Sequence, residues 1–381
     1  STGDLYVMAE TRLSTYYPEE EMYERKTSVK GRDLAGRTYM PLFDTYIGHP
    51  DSFRILQADF VTTDEGTGVV HAAPAYGEDD YQVCAAEGIN LVDYLDDDCR
   101  FTEVFPEFQG MFCKEADKGI IKRLKDEGKL VHQSTYVHNY PYCERTETPL
   151  IYRAIDAWYV RVSDLRDRMV ELNSTIRWVP EYVGSKRFDN WLRAAKDWNI
   201  SRNRFWGSCI PLWISENDPQ DIICVGSIAE LEALSGHTVD DLHKHVVDTL
   251  VIKRDGNTYR RTPEVLDCWF ESGSMPYGQN HYPFENREAF DASFPADFIA
   301  EGLDQTRGWF YTLTVLSTAL FDRPAFRNVI VNGLVLAADG RKMSKRLQNY
   351  PDPMAVIDAY GADALRLCLI ASPVVQAEDL S

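Results

Sequence analysis

The segment FIAEGLDQTRGWFYTLTVLSTALFDRPAFRNVIVNG, residues 298–333, decides the fold of the second half of the chain. FPADFIAEG (294–302) is a short apolar run that ends at a glycine and predicts a buried strand. DQTRGWFYTLTVLSTALF (304–321) is apolar nearly all round, which predicts a buried helix, and NVIVNGLVLA (328–337) predicts a second strand. Strand, helix and strand over this length predict a βαβ unit in a parallel sheet.

Two polar segments follow the predicted strands. Ligands of such sheets collect at the carboxyl ends of the strands. Glu301–Asp304 follows the first strand, and the loop DGRKMSKRLQNYPDP (339–353) follows the second. Lys342 and Lys345 flank Ser344 in this loop, and two ammonium groups with a hydroxyl can surround a polyphosphate. A solvated basic turn is the alternative, and the loop residues alone leave the two readings evenly balanced.

The rest of the chain predicts further α and β elements. EDDYQVCAAEG and KEADKGIIKRLKDEGKLV predict helices that end at Gly88 and Gly128. FRILQADFVTTDEGTGVVHAAPA predicts two strands joined by a turn, which makes the first half β-rich. Residues 215–262 are typical of a charged, variable connector. Asp352 and Pro353 predict the start of a helix, and ADALRLCLIAS predicts another.

Composition excludes several classes of protein. The length of 381 residues predicts two or three domains, and the apolar fraction of 44% excludes a disordered chain. A net charge of −20 argues against non-specific nucleic-acid binding, although a local basic groove remains compatible with it. No 18-residue apolar run or secretory signal occurs, and eight cysteines without CxxC spacing indicate reduced thiols. We therefore expect a cytoplasmic protein without a membrane partner or a zinc site.

Five motifs carry a resemblance to a known family. KMSKR resembles the second signature of class I aminoacyl-tRNA synthetases, with Arg at the last place. DWNISRNRFWGSCIPLW, LDCWFESGSMPY, EGLDQTRGWFYTL and GTGVVHAAPAYGEDDY are similar to segments of the isoleucyl-tRNA synthetases. KMSKRLQNYPDP and YGEDDY resemble the eukaryotic-like branch of that family more than the typical bacterial one. The resemblance covers essentially the whole chain.

The resemblance implies an α/β fold that combines a β-rich mixed editing domain with the second half of a Rossmann-type catalytic domain. The implied domains are an N-terminally incomplete editing (connective peptide) domain at 1–186 and the half-domain at 187–350, with a connective insert at about 215–265. A helical stem-contact or anticodon-binding region is implied from 351 to 381. The implied function is ATP-dependent isoleucylation of tRNA-Ile with hydrolytic editing of misactivated valine.

The resemblance also implies the synthetic site, with isoleucine, tRNA-Ile and ATP, which carries Mg²⁺, as substrates. The implied catalytic residues are Lys342, Ser344 and Lys345. The implied adenylate-binding residues are Glu301, Gly302, Asp304, Gln305 and again Lys345, and the implied walls of the isoleucine pocket are Trp269 and Trp309. From the residues alone, Asp304 is also a candidate helix N-cap, and core packing is the better reading of both tryptophans.

A second, hydrolytic site is implied at Thr67, Gly68, His71 and Asp80. Asp80 would anchor the α-amino group of a misattached amino acid, and His71 would exclude isoleucine. A missing methylene is worth only about 1–3 kcal/mol in an apolar pocket, a range measured on this family, so one site rejects valine poorly. Arg202 and Arg204, beside aromatic residues, are weaker candidates for tRNA contact, and arginine–aromatic packing is equally compatible.

Three departures from the family pattern bear on activity. The first signature, H-x-G-H, and the threonine-rich editing peptide do not occur; YIGHP (46–50) has Tyr46 where the first His is needed. Thr146 stands where some relatives have a second Cys near Cys143, so zinc is unsupported. We therefore expect an internal fragment that does not activate isoleucine alone. Two alternatives stay open, a free-standing valyl-tRNA deacylase and a non-catalytic tRNA-binding protein.

Overall fold

The computed structural model describes residues 3–143, 146–344 and 347–380. The chain divides into two compact units, residues 1–156 and 157–381. The functional domain boundaries predicted at 186/187 and 350/351 stay a prediction.

The described residues of the first unit form three α-helices. They are α1 (Leu13–Tyr16), α2 (Glu78–Ala86) and α3 (Cys113–Asp126), with short 3-10 turns at Glu10–Arg12, Glu20–Met22, Gly31–Leu34, Asp44–Tyr46 and Pro106–Phe108. Helices α2 and α3 confirm the two helix predictions. Acidic residues occupy the first turn of α2, where they complement the helix dipole. The chain leaves α2 and α3 through Gly88 and Gly128, both at positive φ.

The two strands predicted within residues 53–75 are wrong, and the described part of the first unit has isolated bridges but no regular strand. Residues 53–55 pair only briefly with 37–39, through a bridge from Thr38 to Arg54. Val69 and Val70 remain 56% and 58% exposed. An apolar run becomes a stable strand only where a neighbouring strand satisfies its backbone groups along its length and covers one face. The first run has such a partner over three residues only, and Val69 and Val70 of the second are not covered.

The core of the first unit is small and aromatic. It consists of Leu95, Phe101, Phe108 and Ala116, with Tyr94 stacked on Phe101 at 5.8 Å between ring centroids. An ion pair supports it: Arg153 Nε lies 2.6 Å from Asp93 Oδ2, across 60 residues of sequence. Burial raises the pKa of Asp93, but hydrogen bonds from the Leu95 amide, Arg153 and Tyr76 outweigh burial, so the pKa lies below its ordinary value.

The second unit contains eleven strands and ten helices. The strands are β1 (Tyr159–Val160), β2 (Arg177–Val179), β3 (Trp198–Asn199), β4 (Ser201–Arg202), β5 (Leu212–Ser215), β6 (Ile222–Cys224), β7 (Ile252–Arg254), β8 (Asn257–Arg261), β9 (Val265–Leu266), β10 (Ile299–Gly302) and β11 (Asn328–Asn332). The helices are α4 (Arg166–Asn173), α5 (Asp189–Arg193), α6 (Ile228–Ser235), α7 (Lys244–Val247), α8 (Cys268–Gly273), α9 (Met275–Gly278), α10 (Arg287–Ser293), α11 (Trp309–Phe321), α12 (Pro353–Tyr360) and α13 (Ala362–Ile370). These counts apply to the described residues.

A parallel sheet of order β10-β11-β2 confirms the predicted βαβ unit. Helix α11 connects β10 to β11, and its residues 310–318 are all buried, as its apolar sequence predicted. Strand β10 is less buried than predicted because it lies at the edge of this sheet and pairs on one side only. Helices α12 and α13 are also confirmed, and Asp352 caps α12 by accepting a hydrogen bond from the Met354 amide.

Residues 212–261 form a four-stranded antiparallel sheet of order β6-β5-β8-β7, where the charge pattern predicted a variable connector. The sheet has its own core, with Trp213, Ile252 and Tyr259 almost fully buried. Alternate apolar residues of these short strands share one core, while the charged Lys253, Arg254 and Arg260 face solvent. The assignment of this region as a connective insert stays a prediction.

The main core of the second unit depends on a close approach at Gly184. A Cβ at this position would overlap the indole ring of Trp178. The Trp178 Nε1 group donates to Asn173 Oδ1 at 2.9 Å, and Asn173 Nδ2 donates to the Gly184 carbonyl at 3.1 Å. Because Asn173 and Trp178 are both buried, this closed set of hydrogen bonds leaves the ring little freedom to move.

Gly184→Ala is expected to destabilise the second unit by about 1–3 kcal/mol, because the ring is fixed and the added methyl has no free volume. All eight tryptophans lie in this unit, so intrinsic fluorescence during urea denaturation reports its unfolding. Gly278→Ala is the matched control, since nothing lies within 4 Å of its added methyl. A Gly184→Ala midpoint equal to that of the wild type would contradict the packing described.

Candidate active site at the ends of the parallel strands

The parallel register brings two polar segments to one edge of the sheet. Glu301 pairs with Val331 and Gly302 with Asn332, so β10 and β11 end at the same level. The 3-10 turn Leu303–Arg307 follows β10, and the segment leading to the lysine loop follows β11. Two chain segments thirty residues apart thereby leave the sheet at the same edge.

Gln305 organises the turn after β10. Its Oε1 accepts a hydrogen bond from the Trp309 amide at 2.9 Å, and its Nε2 donates to Asp304 Oδ2 at 3.3 Å. Gln305, rather than the predicted Asp304, therefore caps the start of α11. Gln305 lies four residues before the amide that it caps, and its side chain is one methylene longer than that of an Asn or Asp cap, so it spans this separation.

The two tryptophans of the predicted amino-acid pocket lie near this cap. A Cβ at Gly308 would lie 2.6 Å from Gln305 Oε1 and 3.1 Å from Trp269 Cη2, so both side chains converge on this glycine. Trp309 Nε1 donates to the Ser272 carbonyl at 3.0 Å, which links α11 to α8. Trp309 packs partly on the core, whereas Trp269 is 40% exposed and is not a core residue.

Asn349 closes the lysine loop. Its Oδ1 accepts from the Ser344 amide at 2.9 Å, and its Nδ2 donates to the Lys342 carbonyl at 3.1 Å. Ser344 Oγ accepts from the Leu347 amide at 3.0 Å, and the Lys342 side chain is exposed. The loop is therefore held at its backbone while Lys342 stays accessible. Lys345, the second predicted lysine, lies outside the described residues.

The predicted editing residues lie in the first unit. Asp80 Oδ2 accepts from the Ala73 amide at 3.1 Å, which ties α2 to the segment that follows His71. The Thr67 carbonyl accepts from the Ala9 amide at 2.7 Å, and Gly68, at φ +74°, lies against Ala9, where a Cβ would collide. His71 is exposed.

A cleft of about 360 Å³ lies beside this segment, on the Asp79 side of α2. Its lining residues are Gln57, Ala58, Asp59, Phe60, Asp79, Gln82 and Val83. Neither His71 nor Asp80 is among them, so the structure does not bring these two side chains together in this cleft.

The two weaker tRNA candidates differ from each other. Arg202 Nη2 lies 2.7 Å from Asp267 Oδ2, and Asp267, only 3% exposed, also accepts from Trp198 Nε1 at 3.1 Å. Arg202 therefore neutralises a buried carboxylate, which favours the packing alternative for this residue. Arg204 is exposed; along the chain it follows Arg202 by two residues and directly precedes the exposed Phe205 and Trp206.

The chain matches one family of enzymes over almost its full length. The family described as tRNA synthetases class I (I, L, M and V) matches residues 9–381. The chain belongs to this class I tRNA synthetase family. Isoleucine–tRNA ligase of Protochlamydia amoebophila is 54% identical over 378 residues, covering 99% of this chain and 36% of the relative. The Chlamydia trachomatis serovar D enzyme is 52% identical over 381 residues, covering 100% and 37%.

This class I synthetase chain thus spans about 36–37% of the length of the isoleucine–tRNA ligases that it matches. These relatives are bacterial, and the assignment to a eukaryotic-like branch stays a prediction. Among solved structures, the LeuRS–tRNA–LeuAMS complex from Agrobacterium radiobacter K84 is 24% identical, with a TM-score of 0.39 over 49% of this chain and 26% of that one.

Neither a cluster of metal ligands nor a membrane-spanning helix occurs among the described residues of this class I chain. No group of three metal-ligating side chains occurs within residues 3–143, 146–344 and 347–380. No described helix has the length and apolarity that a membrane crossing needs.

Two residues of the candidate site in this synthetase chain were not predicted from the sequence. Asn349 closes the lysine loop, and Arg307 lies next to the Gln305 cap with its guanidinium over the ring of Trp191. Asn349 could have been identified from the sequence, because an Asn in a loop shortly before a Pro is typical of turns that a side chain closes by hydrogen bonding to the backbone. Arg307 had no comparable signal, since its partner is 116 residues away.

Asn349→Ala is expected to loosen the lysine loop, because Ser344 and Lys342 each lose a hydrogen bond that orients their backbone. We expect limited digestion with trypsin to cleave after Lys342 several-fold faster in this variant, as followed by mass spectrometry. Gln348→Ala is the control, since the Gln348 side chain makes no hydrogen bond in the described structure. Equal cleavage rates for the two variants and the wild type would show that Asn349 does not hold the loop.

Proposed function

We propose that this chain is a segment of an isoleucine–tRNA ligase and carries the part of its synthetic site that binds the aminoacyl-adenylate. The observation that supports this most directly is the convergence of Gln305 and Trp269 on Gly308, in the turn that follows β10. A flat aromatic surface next to a polar turn suits a ligand with one apolar and one polar end. The identity to isoleucine–tRNA ligases of 52–54% supports isoleucine as the amino acid.

In the proposed reaction, a carboxylate oxygen of isoleucine attacks the α-phosphorus of ATP and pyrophosphate leaves. A terminal ribose hydroxyl of tRNA-Ile then attacks the adenylate carbonyl and AMP leaves. Lys342 and Lys345 would neutralise charge on the leaving pyrophosphate, with Ser344 as a hydroxyl donor. ATP enters with Mg²⁺ as a substrate.

The polar turn would orient the adenylate. Glu301 and Asp304 would accept hydrogen bonds from the ammonium and ribose hydroxyl groups, and Gln305 would keep Asp304 in place. Gly302 allows this geometry, because a Cβ there would lie 2.6 Å from Asp304 Oδ1. The proposal includes a Rossmann-type arrangement of the catalytic half-domain and a cytoplasmic location, where tRNA is charged.

For the first unit we propose hydrolytic editing of valyl products. The Asp80 carboxylate is only partly buried and already accepts one amide hydrogen bond, so a second acceptor position remains for an ammonium group. Arg12 supports the Thr67–Gly68 wall by donating to the Gly66 carbonyl at 2.8 Å and the Asp64 carbonyl at 2.8 Å.

The synthetic-site proposal predicts how this chain binds a non-hydrolysable isoleucyl-adenylate analogue. We expect binding, with the valyl analogue about 10- to 200-fold weaker because one methylene is lost from an apolar pocket. Trp269→Ala should weaken the isoleucyl analogue at least tenfold, whereas Trp206→Ala, which removes another exposed indole that is stacked on His243, should not. Calorimetric titration measures all four affinities.

Equal affinity for the isoleucyl and valyl analogues would contradict the assignment of isoleucine. No binding of either analogue would contradict the synthetic role itself. If the chain then still bound valyl-adenosine, the free-standing deacylase would become the better reading.

The editing proposal predicts selective binding of a 2′-valylamino-adenosine analogue to this chain. Asp80→Ala should weaken binding about 10- to 100-fold, because a hydrogen bond to a charged group contributes about 1.5–3 kcal/mol. Asp79→Ala, one residue away in the same helical turn, is the matched control. His71→Ala should admit the isoleucyl analogue, and an Asp80→Ala affinity equal to that of the wild type would refute the anchor role.

A further inference from the structure

A cleft of about 560 Å³ lies in the second unit beside the turn that follows β10. It is lined by Arg187, Asn190, Trp191, Ala194, Thr306 and Arg307. Its volume falls within the range of about 300–1,000 Å³ that is usual for ligand sites. One wall comes from the helical segment 183–193 and the residue after it, and the other from Leu303–Arg307.

Arg187 is oriented by the opposite wall. Its Nε donates to Thr306 Oγ1 at 3.2 Å, and Thr306 in turn donates to the Leu303 carbonyl at 2.8 Å. Thr306 is fully buried, so it holds the guanidinium from a fixed point. The Arg187 side chain is exposed, and the other N–H groups of its guanidinium make no hydrogen bond to a described residue.

Arg307 is oriented by stacking. Its guanidinium carbon lies 4.7 Å from the ring centroid of Trp191, and the edge of Tyr311 packs on the same indole at 5.8 Å between ring centroids. A guanidinium stacked on an indole keeps the N–H groups of its plane free to donate outward. Tyr311 is buried deeply enough that its pKa is raised to about 12, so this ring stays neutral.

Charge around the cleft is unbalanced. None of its lining residues is acidic, and no carboxylate among the described residues lies within ion-pair distance of Arg187 or Arg307. This differs from Arg193 in the same helical segment, whose Nε lies 2.7 Å from Asp189 Oδ2. In a chain with 60 acidic and 40 basic residues, two adjacent unpaired arginines leave a local positive potential.

One wall of the cleft contains a buried, unsatisfied donor. The Trp191 Nε1 group is buried and has no hydrogen-bond partner in the described structure. Buried indole N–H groups normally have an acceptor, and leaving one unpaired costs about 1–3 kcal/mol. Two guanidinium groups and the Asn190 side chain thus line one cleft, and the unpaired indole N–H is buried in its wall.

We propose that this cleft binds phosphate groups of an RNA strand, with Arg187 and Arg307 as the contacting residues. Arginine forks match phosphate geometry, and both forks here are oriented before any ligand arrives. Arg307 already occupies one face of the indole, and two guanidinium groups are suited to phosphate contacts, which position a strand without reading its sequence. The choice of RNA as the source of the phosphate rests on the proposed function, since Arg307 is two residues from the Gln305 cap.

The test is the salt dependence of binding between the 381-residue chain and a labelled tRNA-Ile transcript. Each phosphate contact contributes about 0.7–0.9 to the slope of log K against log salt concentration. Arg187→Ala and Arg307→Ala should each flatten the slope by about that amount and weaken binding about two- to fivefold. Arg193→Ala is the control. The charge of Arg193 is already paired with Asp189, so its removal should leave the slope unchanged.

Arg307→Lys separates charge from geometry. The lysine keeps the positive charge but not the flat stack on Trp191, so the slope should stay near that of the wild type while binding weakens. Circular dichroism establishes that each variant is folded. Arg187→Ala leaves the stack of Arg307 on Trp191 intact, and Arg307→Lys keeps the positive charge. Each of these two variants therefore gives a result even if Arg307→Ala does not fold.

The inference is overturned if the wild-type chain does not bind tRNA at low salt, or if both alanine variants keep the wild-type dependence of log K on log salt concentration. It is also overturned if the alanine variants lose binding of inorganic pyrophosphate while the salt dependence of tRNA binding stays unchanged. The last outcome would assign the cleft to a free anion. Titration with the isoleucyl-adenylate analogue reports separately on the proposed function. A chain that fails to bind the analogue but shows arginine-dependent slopes would retain the RNA site and lose the synthetic role.

Discussion

The parallel pairing of β10 with β11 is the constraint on which the rest of the second unit depends. The register sets Gly302 beside Asn332, so both strands release the chain at one edge of the sheet. The backbone pairing requires a crossover between the strands, and α11 provides it because nine consecutive residues are buried against the core. A shift of the register by one residue would turn the strand side chains to the opposite face and separate the polar turn from the lysine loop.

Close approach at glycines supports this arrangement. Gly184 admits the Trp178 ring, Gly308 admits Trp269 and Gln305, and Gly333, directly after β11, lies against the backbone of Glu378, where any Cβ would overlap. Each contact joins segments that are distant in sequence or belong to different elements. The site therefore depends on backbone positions with no side chain of their own, as well as on the polar residues that meet ligands.

Two kinds of arginine occur around the parallel sheet, and the difference explains their roles. Arg202 and Arg193 have carboxylate partners, and Arg202 in particular compensates a buried aspartate. Arg187 and Arg307 are positioned by Thr306 and Trp191, which orient a guanidinium without neutralising it. An acidic chain thereby keeps a local positive site beside the turn proposed to hold the adenylate.

Local patterns in the sequence were sufficient for the elements whose signals lie within a few residues. The periodicity of α3, the capping pair Asp352–Pro353 and the apolar run of α11 each predicted the observed element, because these preferences act over one or two helical turns. The strand predictions within 53–75 were wrong, and the sheet within 212–261 was not predicted, since a strand is decided by its partners. The cap at Gln305, the ion pair of Arg202 and the cleft of Arg187 and Arg307 were decided by tertiary structure alone. In each case the partner is set by a turn geometry or lies on another element, and no residue spacing encodes such a contact.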